Sequence, residues 1–150
     1  MITGLFETHI NVADLERSVT FYRNVLGLEL AHSQPSRHVC FFWMGDRGAA
    51  MLGVWETPRE QVQRQHFAFQ ASVEDVRDSA VPWLRERGLR PYNFLDDGSE
   101  RPMVFAWMPA ISIYFDDPDG HLLEMIAMLE GTPRPELGVI SWEEWQRINA

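Results

Sequence analysis

Polar and apolar positions along this chain follow one plan, and the plan is given twice. From Phe6 to Val12 the pattern has the period of a strand: Thr8, Ile10 and Val12 share one face, Glu7, His9 and Asn11 the other. The period then lengthens to that of a helix. Asp14 can cap it, Leu15, Val19, Tyr22, Val25 and Leu26 form the buried stripe, and Gly27 is a natural stop. Three strand-like runs follow at 28–33, 38–44 and 49–55, the last two joined by the turn Gly45-Asp46-Arg47-Gly48.

The second segment repeats this from His66. Ser72-Val73-Glu74-Asp75 has the form of a capping box, Val73, Val76, Ala80, Trp83 and Leu84 supply the stripe, and Gly88 closes the helix. Pro82 falls inside and should kink or split it. Strands are expected at 90–94, 111–115 and 122–128, with 95–110 a loop or the carrier of one further short strand. His9 precedes Gly27 by 18 positions and His66 precedes Gly88 by 22. The letters differ but the order of elements does not, which points to an internal duplication.

The polar faces carry the candidate chemistry. Phe67 and Phe69 oppose His66, Ala68 and Gln70; Ile111, Ile113 and Phe115 oppose Ser112 and Tyr114; Leu123, Met125 and Ala127 oppose Leu122, Glu124 and Ile126. Four strands thus offer an apolar face to a helix and a second face with polar groups, expected on the inside of a curved sheet. A single strand histidine is usually a hydrogen-bonded structural residue. Two histidines at matching places, His9 and His66, with Glu124 of suitable parity, could instead hold a divalent cation and leave its far side open. Both readings stand on the residues alone. His32 and His38 flank a short loop, His121 follows Asp-Pro-Asp-Gly at a turn where a surface role is expected, and Glu56 should point away from Gly53.

Composition narrows the field. At 150 residues and 45% hydrophobic the chain is globular, one domain or two small halves sharing one core, and long enough to bury one. A net charge of −9 argues against nucleic acid. All 13 basic residues are arginine, so Schiff-base chemistry and a phosphate-binding Walker loop are excluded. Cys40 is the only cysteine and sits in an apolar run, where a buried, inert thiol is expected. No apolar run of about 18 residues and no secretory signal pattern is seen, so cytoplasm is the expected location and no membrane is a partner.

Three stretches are similar to the vicinal oxygen chelate superfamily, which includes glyoxalases, fosfomycin-resistance thiol transferases, extradiol dioxygenases and bleomycin-binding proteins. They are His9–Ser18, Phe21–Leu28 and, most specifically, Ser112-Ile113-Tyr114-Phe115-Asp116-Asp117-Pro118-Asp119-Gly120-His121-Leu122-Leu123-Glu124. The resemblance implies an α+β fold over residues 1–130, with paired βαβββ modules (about 1–57 and 62–130) forming an open, cupped mixed sheet and helices on its outer face. It implies His9, His66 and Glu124 as ligands of one divalent metal ion (Fe, Mn, Zn or Ni), and Tyr114 with Glu124 as catalytic groups. Asn11, Ser112, Trp55 and Trp107 are the expected contacts to a small-molecule substrate, and a homodimer is the expected assembly.

Where glyoxalases add a carboxylate, this chain has Gly53. Where the fosfomycin enzymes carry a cationic set, the matching stretches 103–110 and 129–135 offer only Arg134. The expected function is therefore a metal-dependent lyase, isomerase or thiol transferase. An iron(II) extradiol-type dioxygenase and a metal-free bleomycin-resistance-type binding protein are the alternatives. The tail 131–150 lies outside the resemblance; its prolines suggest extended chain, then Ser141 caps a short helix whose Trp142 and Trp145 should dock on the body or a second subunit.

Overall fold

A computed structural model describes residues 1–150. The chain forms two compact units, Met1–Gln65 with Asp117–His121, and His66–Asp116 with Leu122–Ala150. Each holds one βαβββ module with its own open, mixed sheet.

In the first unit β1 (Glu7–Val12), β2 (Glu29–Gln34), β3 (Val39–Trp43) and β4 (Met51–Glu56) lie in the order β1-β4-β3-β2, with β1 parallel to β4 and the rest antiparallel. The expected helix forms. Extended Asp14 accepts the Arg17 N–H through Oδ1 at 2.9 Å, and α1 (Leu15–Thr20) runs into a wider π-type turn, Phe21–Val25, where Leu26 N–H reaches Phe21 O at 3.0 Å. Ser18, Phe21 and Tyr22 are buried, as are Ile10, Val12, Phe42, Leu52 and Val54, so the alternating apolar face is the core face. Each such apolar side chain contributes about 1.5–3 kcal/mol by leaving water.

The Asp117–His121 turn packs in this unit. Tyr22 donates its hydroxyl to Asp117 Oδ2 at 2.8 Å, while Asp117 Oδ1 accepts from the N–H groups of Asp119 (2.9 Å) and His121 (2.8 Å). Arg17 holds Asp119 at 2.6 Å. Burial pushes the pKa of both Tyr22 and Asp117 upward, and the Asp117 charge adds to the rise at Tyr22. His121 corrects an expectation. It is fully buried rather than at the surface, its Nδ1 accepting from Gln65 N–H at 3.0 Å and its Nε2–H donating to Asn11 O at 2.7 Å. Gly120, at φ +82°, turns the chain inward there, and strand periodicity carries no information about how a turn packs.

In the second unit β5 (His66–Gln70), β6 (Met103–Phe105), β7 (Ala110–Asp116), β8 (Leu122–Met128) and β9 (Val139–Ser141) follow the order β5-β8-β7-β6-β9, with β5 parallel to β8. Ser72 Oγ accepts the Asp75 N–H at 3.0 Å, confirming the cap. Pro82 neither breaks nor stops the helix. It offers no N–H to Asp78 O, and a π-type turn at Asp75–Ser79 precedes α2 (Ala80–Glu86), taking up the misfit before the proline.

The strand expected at 90–94 is absent; β6 takes its place in the ladder. Pro91 lacks a donor, and the Asn93 side chain is spent on Asp97, Ser99 and the Leu95 N–H, leaving only Tyr92 to bridge Tyr114 through backbone bonds of 2.9 and 2.8 Å. The tail adds β9 to the β6 edge, and Ser141 Oγ caps α3 (Trp142–Ile148) through Glu144 N–H at 3.1 Å. Trp145 is 3% exposed, so α3 docks within its own unit. No helix is long and apolar enough to cross a membrane.

Tyr22→Phe strips a donor from a buried carboxylate, and an unmatched buried acceptor costs about 1–3 kcal/mol. Urea unfolding should show a loss of that size. A loss below about 0.5 kcal/mol would mean that the carboxylate is satisfied without the hydroxyl.

Candidate metal centre

The polar face of the second unit gathers four of the eight expected site residues. His66 opens β5 opposite Leu122, and Glu124 stands two residues further along β8, opposite Ala68. In a parallel pair these positions share a face. His66 Nδ1–H donates to Leu122 O at 3.0 Å, which fixes the tautomer and leaves a lone pair on Nε2. That lone pair meets Glu124 Oε2 at 3.3 Å. Glu124 is 4% exposed, and its Oε1 has no hydrogen-bond partner. An acceptor nitrogen facing a buried carboxylate is an unfavourable arrangement unless a cation or proton lies between them. The donor types and the unmatched oxygen therefore fit a divalent metal, and the His66 side chain, 47% exposed, leaves the approach open.

Tyr114 lies directly opposite Glu124 across the β7–β8 ladder, its ring 6.0 Å from that of His66 and 6.0 Å from Tyr92. Burial raises its pKa, and the Glu124 charge raises it further; a hydrogen bond with Ser112 acts the other way. The phenol therefore keeps its proton near neutral pH and can donate. Ser112, two residues along the same face, is buried. Trp107 stands apart from this group, 54% exposed in the turn between β6 and β7.

The first unit holds His9, Asn11 and Trp55. Trp55 Nε1–H can only donate, and it does so to His9 Nδ1 at 2.6 Å. The His9 proton is thereby placed on Nε2, which bonds Glu7 Oε1. The Trp55 ring stacks on the imidazole at 5.9 Å and 22°, with Phe41 at its edge. Gly53 faces His9 in the register, and a Cβ on it would come within 2.9 Å of Nδ1. Gly53 thus leaves its side-chain space to the imidazole. Glu56 points elsewhere as expected, accepting Leu15 N–H at 2.9 Å and approaching His38 Nδ1 at 3.3 Å. Asn11 is anchored through its backbone, to Gln65 Oε1 and His121. Within neither unit do three histidine, cysteine or acidic side chains gather as ligands.

His121 escaped the reading of the sequence as a core residue.

A model of the glyoxalase/bleomycin resistance protein/dioxygenase superfamily matches residues 4–125. The metallothiol transferase FosB of Staphylococcus epidermidis is 31% identical over 128 residues, covering 83% of this chain and 84% of that protein. An integron cassette protein from the Halifax Harbour sewage outfall metagenome superposes with a TM-score of 0.72 at 33% identity, over 85% of this chain and all of that one. The fosfomycin resistance protein FosX of Listeria monocytogenes, in complex with Mn(II) and sulfate, gives 0.62 at 29% identity, over 86% and 93% of the two chains.

Glu124→Gln keeps the shape of the side chain and removes a buried charge. In metal-free protein it should raise stability by about 1 kcal/mol or more, read by urea unfolding with a chelator present. A loss of stability instead would show that the fold alone already compensates the carboxylate.

Proposed function

The chain belongs to the glyoxalase/bleomycin resistance protein/dioxygenase superfamily, and within it we propose a divalent-metal-dependent enzyme of thiol-transferase, lyase or isomerase type, acting on an oxygen-bearing small molecule. The observation that carries this reading is the buried Glu124 carboxylate, with one oxygen unmatched, beside the lone pair of His66 Nε2. In the proposal His66 and Glu124 are the second module's metal ligands and His9 is the first module's.

A bound divalent ion supplies a Lewis acid able to stabilise an oxyanion or enolate on the substrate. The chain's own residues do the rest. Leu122 O orients the His66 ring through Nδ1–H, and Tyr114, held protonated, donates a hydrogen bond to substrate oxygen. Asn11, Ser112, Trp55 and Trp107 are the proposed substrate contacts, and the working unit is a homodimer. Thiol transfer is favoured among the reaction types by the extent of the similarity to metallothiol transferase FosB. A phosphonate substrate is disfavoured: Arg134, the one cation in the matching stretches, is engaged by Glu136 at 2.7 Å.

Two imidazoles and one carboxylate are also the donor set of iron(II) oxygenases, which keeps a ring-cleaving dioxygenase as the second reading. A metal-free binding protein has no use for an unmatched buried carboxylate.

Elemental analysis of the purified protein should find a divalent metal, lost by at least tenfold in affinity in His66→Ala. Consumption of a low-molecular-weight thiol with a panel of electrophiles, fosfomycin included, should then depend on that metal. Oxygen uptake with catechols and no thiol consumption would transfer the assignment to the dioxygenase. A wild-type protein that binds no divalent metal would end the enzymatic reading.

A further inference from the structure

Most of the 13 arginines in this chain hold a carboxylate. Arg37 does not. It is exposed at the end of the Pro35–Arg37 turn between β2 and β3, and its guanidinium carbon lies 4.8 Å from the centre of the Trp55 ring, over its face. In a chain of net charge −9, a cation left without an acid is an exception.

The reason lies in the strand beside it. Trp55 and Glu56 are neighbours on β4, so their side chains leave by opposite faces. The Glu56 carboxylate is taken up on its own side, by the Leu15 N–H at 2.9 Å and by the His38 ring at 3.3 Å. His38 O in turn accepts the Glu56 N–H at 2.9 Å. His38 sits in left-handed backbone, at φ +51°, an uncommon state for a residue with a side chain. The turn is thus pinned to the end of β4, and the acid next to Trp55 is drawn away from Arg37.

Beneath Arg37 the polar face of the first module is aromatic. Phe41, Trp43 and Trp55 share that face with His9, because Phe41 and His9 both stand opposite Gly53 and Trp43 stands opposite Met51. Phe41 and Trp55 meet edge to face at 6.3 Å, and His32 tilts against Phe41 at 6.4 Å. Phe41, Trp43 and Trp55 are all part-exposed. The acids of the same face are already engaged, Glu7 by His9 and Glu29 by Arg47.

An open aromatic surface with one uncompensated cation at its rim suits a flat molecule carrying one negative charge. A guanidinium lying on an indole uses its face in that contact. Its N–H donors lie in the plane and stay open along the edge, in the fork that a carboxylate accepts two at a time. A single arginine balances one charge, which fits a carboxylate better than a phosphonate dianion.

We propose that Arg37, with Trp55 and Phe41, forms a subsite for the carboxylate of an aromatic or otherwise planar small molecule, and that Arg37 sets this specificity. The inference deepens the proposed function by naming a class of substrate, and rests on that reading for its catalytic meaning. The binding step itself needs no metal.

The test titrates the full chain, both metal-loaded and chelator-treated, with benzoate and with benzamide, its neutral counterpart of the same shape. Binding is followed by ligand-observed NMR and by the Trp55 indole N–H resonance, assigned through Trp55→Phe. Wild-type protein should bind benzoate about tenfold more tightly than benzamide in both forms, with a shift of the Trp55 resonance. Arg37→Gln should abolish that preference while benzamide affinity stays within about twofold, and Arg37→Lys should recover only part of it, because an ammonium lacks the planar fork. Unchanged benzamide affinity also reports that the aromatic face is still folded. Wild-type protein that binds neither compound, or both alike, overturns the proposal, and so does a preference that survives Arg37→Gln. A preference seen only with metal and indifferent to Arg37 places the carboxylate on the ion and overturns it too. Failure of the metal-dependent reading is separate: wild-type protein then holds no divalent ion, while the chelator-treated titration still reads the subsite.

Discussion

A carboxylate taken out of water must be matched by charge or hydrogen bonds, and Glu124 Oε1 has no partner. Much of the second module is arranged around that deficit. The β5–β8 register brings His66 to the same face, the Leu122 carbonyl sets its tautomer, and the β7–β8 register puts Tyr114 opposite. Each of these is a backbone decision, made by strand pairing before any side chain is chosen. Because the side-chain period is two, a slip of one residue on β8 would turn Glu124 to the helix side and bring Leu123 to the His66 face. The apolar alternation Leu123, Met125, Ala127 guards against that slip, so the residues that build the core also aim the carboxylate.

The modules share this scaffold and differ in what they place on it. Both run a strand, a helix with a π-type turn, and a three-stranded antiparallel ladder whose last strand returns parallel to the first. The two π-type turns have separate local settings: the first ends a short α-helix before Gly27, and the second lies ahead of Pro82. On the polar faces the divergence is larger. The first module is aromatic around its histidine, with Trp55 stacked and Phe41 on edge, and Arg37 lies 4.8 Å over the Trp55 ring. The second is phenolic and acidic, with Tyr92, Tyr114 and Glu124. A duplicated backbone has been given two chemically distinct halves.

The sequence made the periodic parts readable and the packed irregular parts opaque. Strand parity placed His9, His66, Glu124 and Tyr114 on polar faces, and the caps at Asp14, Ser72 and Ser141 were each found where the spacing put them. The run at 90–94 has strand composition, yet Pro91 and the hydrogen bonds of Asn93 divert it. Met103–Phe105 is too short to announce itself. His121 was misjudged because Asp-Pro-Asp-Gly signals a turn and says nothing of what the turn packs against.

If the chemistry is thiol transfer, the chain leaves little choice about where the thiol comes from. Cys40 is the single cysteine, 4% exposed within β3, with its Sγ 3.4 Å from Ser33 Oγ. It lies on the same face of β3 as Phe42, the core face, so its sulfur is turned away from the face that carries His9. A thiolate acts as nucleophile only where a polar or cationic setting favours the charge, and an apolar strand interior opposes it. The nucleophile must then be a second small molecule. Its sulfur–carbon bond would form as a carbon–oxygen bond of the electrophile breaks; a divalent ion, if held by His66 and Glu124, would supply a Lewis acid, and the Tyr114 phenol could donate to the departing oxygen. A protein that supplies neither thiol nor lysine contributes orientation and electrostatics alone, and a site built from carboxylates, imidazoles and a protonated phenol is suited to that role.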